Sequence, residues 1–218
     1  MTALLTIENL PDLNETITVP EDIFEELTAQ DASVAGFNPY EQPTVRDLLY
    51  GVLLPSGADA CETLARAVGG SEEGFVAMMN QKAEELGLTN THFENCTGLH
   101  NDNHYSTCRD IAVLMSECLK SDTFREIVTR EVYTTEATAS HPEGITLYDT
   151  MLHRFTSYEM STTLENGAVI EGGKTGFTDE AGQCLVSFAE YGGEEYILVT
   201  AEAMTCLLYT SPSPRDTR

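Results

Sequence analysis

From Gly172 the sequence changes period, and that change limits what the chain can become. Residues 183–190 (QCLVSFAE) and 195–203 (EYILVTAEA) are rich in β-branched, aromatic and aliphatic residues and read as two strands. Between them stands Gly192-Gly193, a pair suited to the two positive-φ positions of a tight hairpin turn. Upstream the apolar residues recur at helical spacing instead. Helices followed by hairpin-linked strands predict an α+β fold, an antiparallel sheet flanked by helices.

The helical signals are local and physical. Residues 1–9 read as the end of a helix with Ala3, Leu4 and Ile7 on one face, stopped by Pro11-Asp12. Residues 17–32 are acidic and ambiguous, and Gly36-Phe37-Asn38-Pro39 marks a loop. Thr44 is placed to cap a helix over 44–53 that turns Val45, Leu48, Leu49 and Val52 inward. Pro55-Ser56-Gly57 breaks the chain, and Asp59 is expected to cap the next helix, which carries Leu64, Ala65 and Val68. Ser71 caps a further one, with Glu72 and Glu73 at its positive end, a stripe of Phe75, Met78, Met79, Ala83 and Leu86, and Gly87 as terminator. Residues 106–119 form another, with Ile111, Leu114, Met115 and Cys118 inward.

Composition excludes several function classes. A chain of 218 residues with 41% hydrophobic content can bury a sizeable core. Its 11 basic against 36 acidic residues leave a formal charge of -25, which repels nucleic acid and anionic lipid alike. The start, MTALLTIENLPDLNE, lacks a basic n-region, and no apolar run approaches the ~20 residues of a membrane span. Taken literally, these features place the chain in the cytoplasm. The six cysteines show no C-x-x-C pair, so a thiolate metal site is not expected and most should be small buried residues.

The residues that carry chemistry lie in GGKTGFTDEAGQC. Lys174-Thr175-Gly176 has the form of the K-T-G element that penicillin-recognising serine enzymes place on an active-site strand. Three further stretches occur in a matching order: YGVLLPSGADACETLA, FVAMMNQKAEELGLTNTHFENCTGLH and HYSTCRDIAVLM. Together they resemble the serine-type D-alanyl-D-alanine carboxypeptidases, the low-molecular-weight penicillin-binding proteins, over nearly all of residues 1–204. The resemblance implies a penicillin-binding protein or β-lactamase-like fold, incomplete here. It also implies an enzyme that trims the terminal D-Ala of peptidoglycan stem peptides through an acyl-enzyme, binds β-lactams, and needs no metal or cofactor.

By that resemblance, the catalytic residues are Ser56, from an S-x-N element that passes protons across the cleft, and Lys174, which supplies positive potential. Thr175 holds the substrate carboxylate, Gly176 leaves room for the substrate backbone to lie along the strand, and the Phe177 N–H donates to the oxyanion. Two departures stand out. Ala58 occupies the position where the family usually has Asn, removing an amide worth about 0.5–1.5 kcal/mol of hydrogen bonding. No Ser-x-x-Lys, the family's nucleophile and base, occurs anywhere in the sequence; the nearest pair, Ser116 and Lys120, has the wrong spacing.

Met1 is therefore expected to fall just downstream of the missing nucleophile, in a sequence truncated at both ends and inactive as it stands. CLLYTSPSPRD at 206–216 reads as translated transposon-end sequencing adapter, which makes 1–205 a partial transpeptidase-like domain and 206–218 a foreign tail. The intact parent is expected outside the cytoplasm, in the cell envelope or secreted, with its signal peptide and membrane anchor absent from this chain. Three alternatives compete: a non-catalytic peptidoglycan-binding module, a class A β-lactamase-like hydrolase, and a zinc peptidase built on His100, Asn101, Asp102, Asn103 and His104.

Overall fold

The structure, a computed structural model, describes residues 1–203. The expectation about residues 206–218 lies outside that range. Eight helices and five strands follow one another in the described residues, with all but two of the strands at the C-terminal end.

The capping signals account for most helix starts. Helix α3 (Val45–Leu53) begins at Thr44, whose hydroxyl accepts the Asp47 N–H while the Asp47 carboxylate accepts the Thr44 N–H. This reciprocal box satisfies two donors that the first turn leaves unpaired. Val45, Leu48 and Leu49 are fully buried, as the spacing predicts. Helix α5 (Glu72–Glu85) starts at Ser71, whose hydroxyl accepts the Gly74 N–H. Helix α6 (Cys108–Cys118) is capped by Thr107. With α1 (Thr2–Asn9) and α4 (Ala58–Gly69), these helices enclose one core around Tyr50, Leu64 and Phe75.

The expected cap at Asp59 is not what forms. Gly57 occupies the N-cap of α4 without a side-chain bond, and Asp59 lies in the first turn, fully buried. Its two carboxylate oxygens accept the N–H groups of Ala35, Gly36 and Phe37 at 2.7–3.0 Å. The loop that the Gly-Phe-Asn-Pro signal marked is thereby stitched to the start of α4. Three short helices gave no clear signal: α2 (Ile23–Ala29), α7 (Asp122–Val128) and α8 (Leu152–Ser157).

Strands β3 (Val169–Thr178), β4 (Gly182–Tyr191) and β5 (Glu194–Ala203) form an antiparallel sheet in sequence order, and β1 (Val132–Thr134) pairs with β2 (Thr146–Tyr148) separately. The β4–β5 turn is the predicted pair, with φ of 64° at Gly192 and 82° at Gly193. Strand β4 alternates its faces: Val186 and Phe188 pack on the main core, whereas Leu185 meets a smaller cluster of Met151, Leu152 and Phe155. The smaller cluster covers only the β3–β4 part of its face, since Tyr196 and Leu198 of β5 are exposed, and β3 lies at the edge of the sheet among the described residues.

Candidate active site

A cleft of about 1120 Å³ opens between the helices and β3, and Ser56, Ala58, Lys174, Thr175, Gly176 and Phe177 all line it. Ser56 sits on the turn between α3 and α4, with φ of 62°. That left-handed conformation is uncommon for a residue with a Cβ. The two residues that follow it are fixed: the Gly57 N–H donates to the Gly51 carbonyl at 2.8 Å, and the Ala58 N–H donates to the Ser33 carbonyl at 2.8 Å. Ala58, where the family carries an amide, is a buried apolar wall residue.

The two glycines before Lys174 have a steric cause. A Cβ on Gly172 would lie 2.4 Å from the Val128 carbonyl oxygen at the end of α7, and one on Gly173 would lie 2.5 Å from the Val186 carbonyl oxygen. Backbone on both sides leaves no room for a side chain, and the pair sets β3 close against its neighbours. Gly176 differs: a Cβ there would meet nothing nearer than the Cys184 Cβ at 3.8 Å. Internal packing does not demand glycine at 176, and its open side is the cleft.

Lys174 extends from β3 across the cleft, where its ammonium donates to the Ser56 hydroxyl and, at 2.7 Å, to the Thr175 carbonyl. Burial pushes the Lys174 pKa down, while the Asp149 carboxylate and the Cys61 thiol act in the opposite direction. The Thr175 hydroxyl lies 2.5 Å from that of Thr150. Neither Thr150 nor Asp149 was marked by any motif. Thr150 also donates its N–H to the Leu54 carbonyl at 3.2 Å, two residues before Ser56. One residue therefore joins both walls of the cleft.

The histidine loop does not gather into a metal site. His100 faces Asp102 at 3.3 Å and Glu180 at 3.6 Å, and His104 accepts the Glu94 N–H. Among the described residues one group brings metal-type ligand atoms together: Glu62, Glu72 and Cys96, within 4.8 Å of one another. There the Cys96 thiol donates to Glu62 at 3.3 Å and Arg66 stands 3.7 Å away. Of the five described cysteines, Cys61, Cys96 and Cys118 are buried, Cys108 is exposed and Cys184 lies between.

A lysine on β3 thus reaches a serine on the turn between α3 and α4, in a fold of helices and antiparallel sheet that matches the penicillin-recognising class of serine enzymes. Within that class the chain belongs to the D-alanyl-D-alanine carboxypeptidase family, whose pattern it matches over residues 1–205. It is similar to D-alanyl-D-alanine carboxypeptidase DacF of Bacillus subtilis, with 34% identity over 206 residues, covering 94% of this chain and 50% of the relative. The D-alanyl-D-alanine carboxypeptidase of Streptomyces sp. strain K15 is 36% identical over 192 residues, covering 85% of this chain and 64% of its own. The crystal structure of the Streptomyces K15 DD-transpeptidase superposes with a TM-score of 0.79 at 32% identity, over 94% of this chain and 79% of that one. The chain thus spans between half and two thirds of these two curated relatives.

Proposed function

We propose that this chain carries the substrate-anchoring part of a serine-type D-Ala-D-Ala carboxypeptidase, an enzyme that removes the terminal D-Ala of peptidoglycan stem peptides outside the cytoplasm. The observation that carries the reading is the Lys174–Ser56 hydrogen bond across a cleft walled by Thr175 and Gly176. In a protein of formal charge -25, a peptide carboxylate meets repulsion almost everywhere. The half-buried Lys174 ammonium is a local exception, and a desolvated cation attracts a carboxylate far more strongly than an exposed one.

The remaining roles follow from position. With the carboxylate at Lys174 and Thr175, the peptide backbone would lie along β3, an edge strand among the described residues, where Gly176 presents no side chain and the Phe177 N–H would donate to the oxyanion. Ser56 accepts from Lys174 and is the group through which a proton passes to the departing amine. In the full reaction a serine hydroxyl attacks the carbonyl, the amide bond breaks, D-Ala leaves with that proton, and water releases the acyl group.

No Ser-x-x-Lys occurs in these 218 residues, so the attacking hydroxyl and its paired amine have no counterpart here. That favours, for the chain as it stands, binding without acylation. Incubation with benzylpenicillin followed by intact mass spectrometry tests both parts. No adduct is expected on this chain, and an adduct is expected once a relative's Ser-x-x-Lys helix is joined before Met1. Labelling of the unextended chain would make Ser56 or another serine the nucleophile. Failure of the extended chain, with its fold intact, would overturn the assignment of the cleft.

A further inference from the structure

We propose that Glu180 is a specificity-determining residue of the cleft, placed to take, in exchange for His100, a free amine on the third residue from the C-terminus of a bound peptide; the proposal rests on the function proposed above.

The direction of the peptide fixes where that residue falls. A carboxylate at Lys174 and Thr175 and a carbonyl oxygen at the Phe177 N–H set the peptide antiparallel to β3, with its C-terminus toward 174. Successive residues of the peptide then stand opposite successive residues of β3, about 3.4 Å apart. The penultimate residue pairs with Phe177, and the one before it meets Thr178, the last residue of β3. Beyond Thr178 the chain turns back into β4. The Ala181 N–H donates to the Thr178 hydroxyl at 3.0 Å, which keeps Glu180 within the turn at the strand end.

The facing wall comes from the loop between α5 and α6. The Asn95 side chain accepts the Gly98 N–H at 2.7 Å and donates to the Leu99 carbonyl at 2.8 Å, so His100 follows a braced stretch of chain. Thr178, Glu180 and His100 line the same cleft as Lys174. At this end the two walls nearly meet: His100 Nδ1 stands 3.6 Å from Glu180 Oε2, and its Nε2 stands 3.3 Å from Asp102. A peptide passing Thr178 runs beside that contact. The side chain it brings there meets a carboxylate whose ion-pair partner among the described residues is a histidine, a type of group only partly charged near neutral pH. A primary ammonium carries a full charge and three donors, so it exchanges for the imidazole at Glu180 with a gain. The same amine acylated, as when it is joined to a second peptide, is neutral and gains nothing there.

Two peptides differ at that amine alone: Nα-acetyl-Lys-D-Ala-D-Ala, with the side-chain amine free, and diacetyl-Lys-D-Ala-D-Ala, with it blocked. Calorimetric titration of this chain at pH 7.5 should show the free-amine peptide binding about three- to fivefold more tightly, the upper range for a partly exposed ion pair. Glu180→Gln should bring the two affinities together, and Glu180→Lys should reverse their order. A chain of formal charge -25 favours any cation through its overall field. Glu25→Gln, on α2 and outside the cleft, controls for that and should keep the preference. Glu180 is exposed on its turn, so both substitutions should leave the fold intact, which circular dichroism checks.

Equal binding of the two peptides by the unsubstituted chain, or a preference that survives in Glu180→Gln, overturns the proposal and leaves the functional reading standing. A preference lost as fully in Glu25→Gln overturns it too, as an effect of overall charge. Binding of neither peptide overturns the functional reading and the proposal with it.

Discussion

Replacing Glu62 by Gln should stabilise the protein at pH 8 and do little at pH 5. Glu62 projects from α4 at 7% exposure and faces Glu72 in the first turn of α5. Burial first, and the neighbouring Glu72 second, push its carboxyl up to about 7. Arg66 offsets this only in part, because its guanidinium is engaged by Asp22 at 2.7–2.8 Å. In the unfolded chain Glu62 loses its proton near pH 4.5, whereas the folded chain retains it to about 7. Between those values the folded state holds the extra proton, so stability falls as pH rises through that window and levels off above it. At 1.36 kcal/mol per pH unit the whole interval is worth about 3 kcal/mol, and about 2 kcal/mol after allowance for solvent reaching the pair. Glutamine never ionises, and its amide oxygen still accepts from the Cys96 thiol. The assay is urea denaturation of parent and variant at pH 5 and pH 8, followed by far-ultraviolet circular dichroism. The gap between them should widen by about 2 kcal/mol toward pH 8. A gap that is the same at both values refutes the reasoning, since titrating groups remote from Glu62 and Glu72 cancel in the difference.

Gly172→Ala should destabilise by about 2–3 kcal/mol in the same assay, because its Cβ meets the Val128 carbonyl oxygen at 2.4 Å and backbone cannot step aside. Gly176→Ala should leave the melting temperature unchanged, with its nearest neighbour at 3.8 Å, yet weaken binding of a D-Ala-D-Ala peptide measured by calorimetry. Asp47→Ala removes the acceptor of the Thr44 N–H, the Tyr133 hydroxyl and the Glu136 N–H, and should cost about 3 kcal/mol by urea denaturation.

What was legible in the sequence was local. Thr44, Ser71 and the Gly192-Gly193 pair act within a few residues of themselves, so their helices and hairpin form where the signals stand. Lys174 and Ser56 were legible for a different reason, as parts of motifs that resemble a family's. Asp59 was misread because its partners, Ala35 to Phe37, lie 22–24 residues away, and a carboxylate two residues after a break looks like a cap in sequence. Helices α2, α7 and α8 have six or seven residues each, and β1 and β2 three, too few turns or alternations to present a period. Thr150 was invisible because its importance comes from lying against Thr175 of β3 rather than from any spacing of its own.

The left-handed turn at Ser56 has an evolutionary consequence. An L-residue held at φ of 62° gives up about 1–2 kcal/mol that glycine would not, while glycine gives back about 0.5–1 kcal/mol through its looser unfolded chain. Exchange of Ser56 for Gly is therefore close to neutral for the fold, and only the hydroxyl facing Lys174 is forfeited. A gene copy released from selection on its cleft would meet no folding barrier to that exchange. A serine kept at this position across a lineage would then record selection on chemistry alone, unlike the buried leucines of α3, whose retention records nothing more than the need to fold.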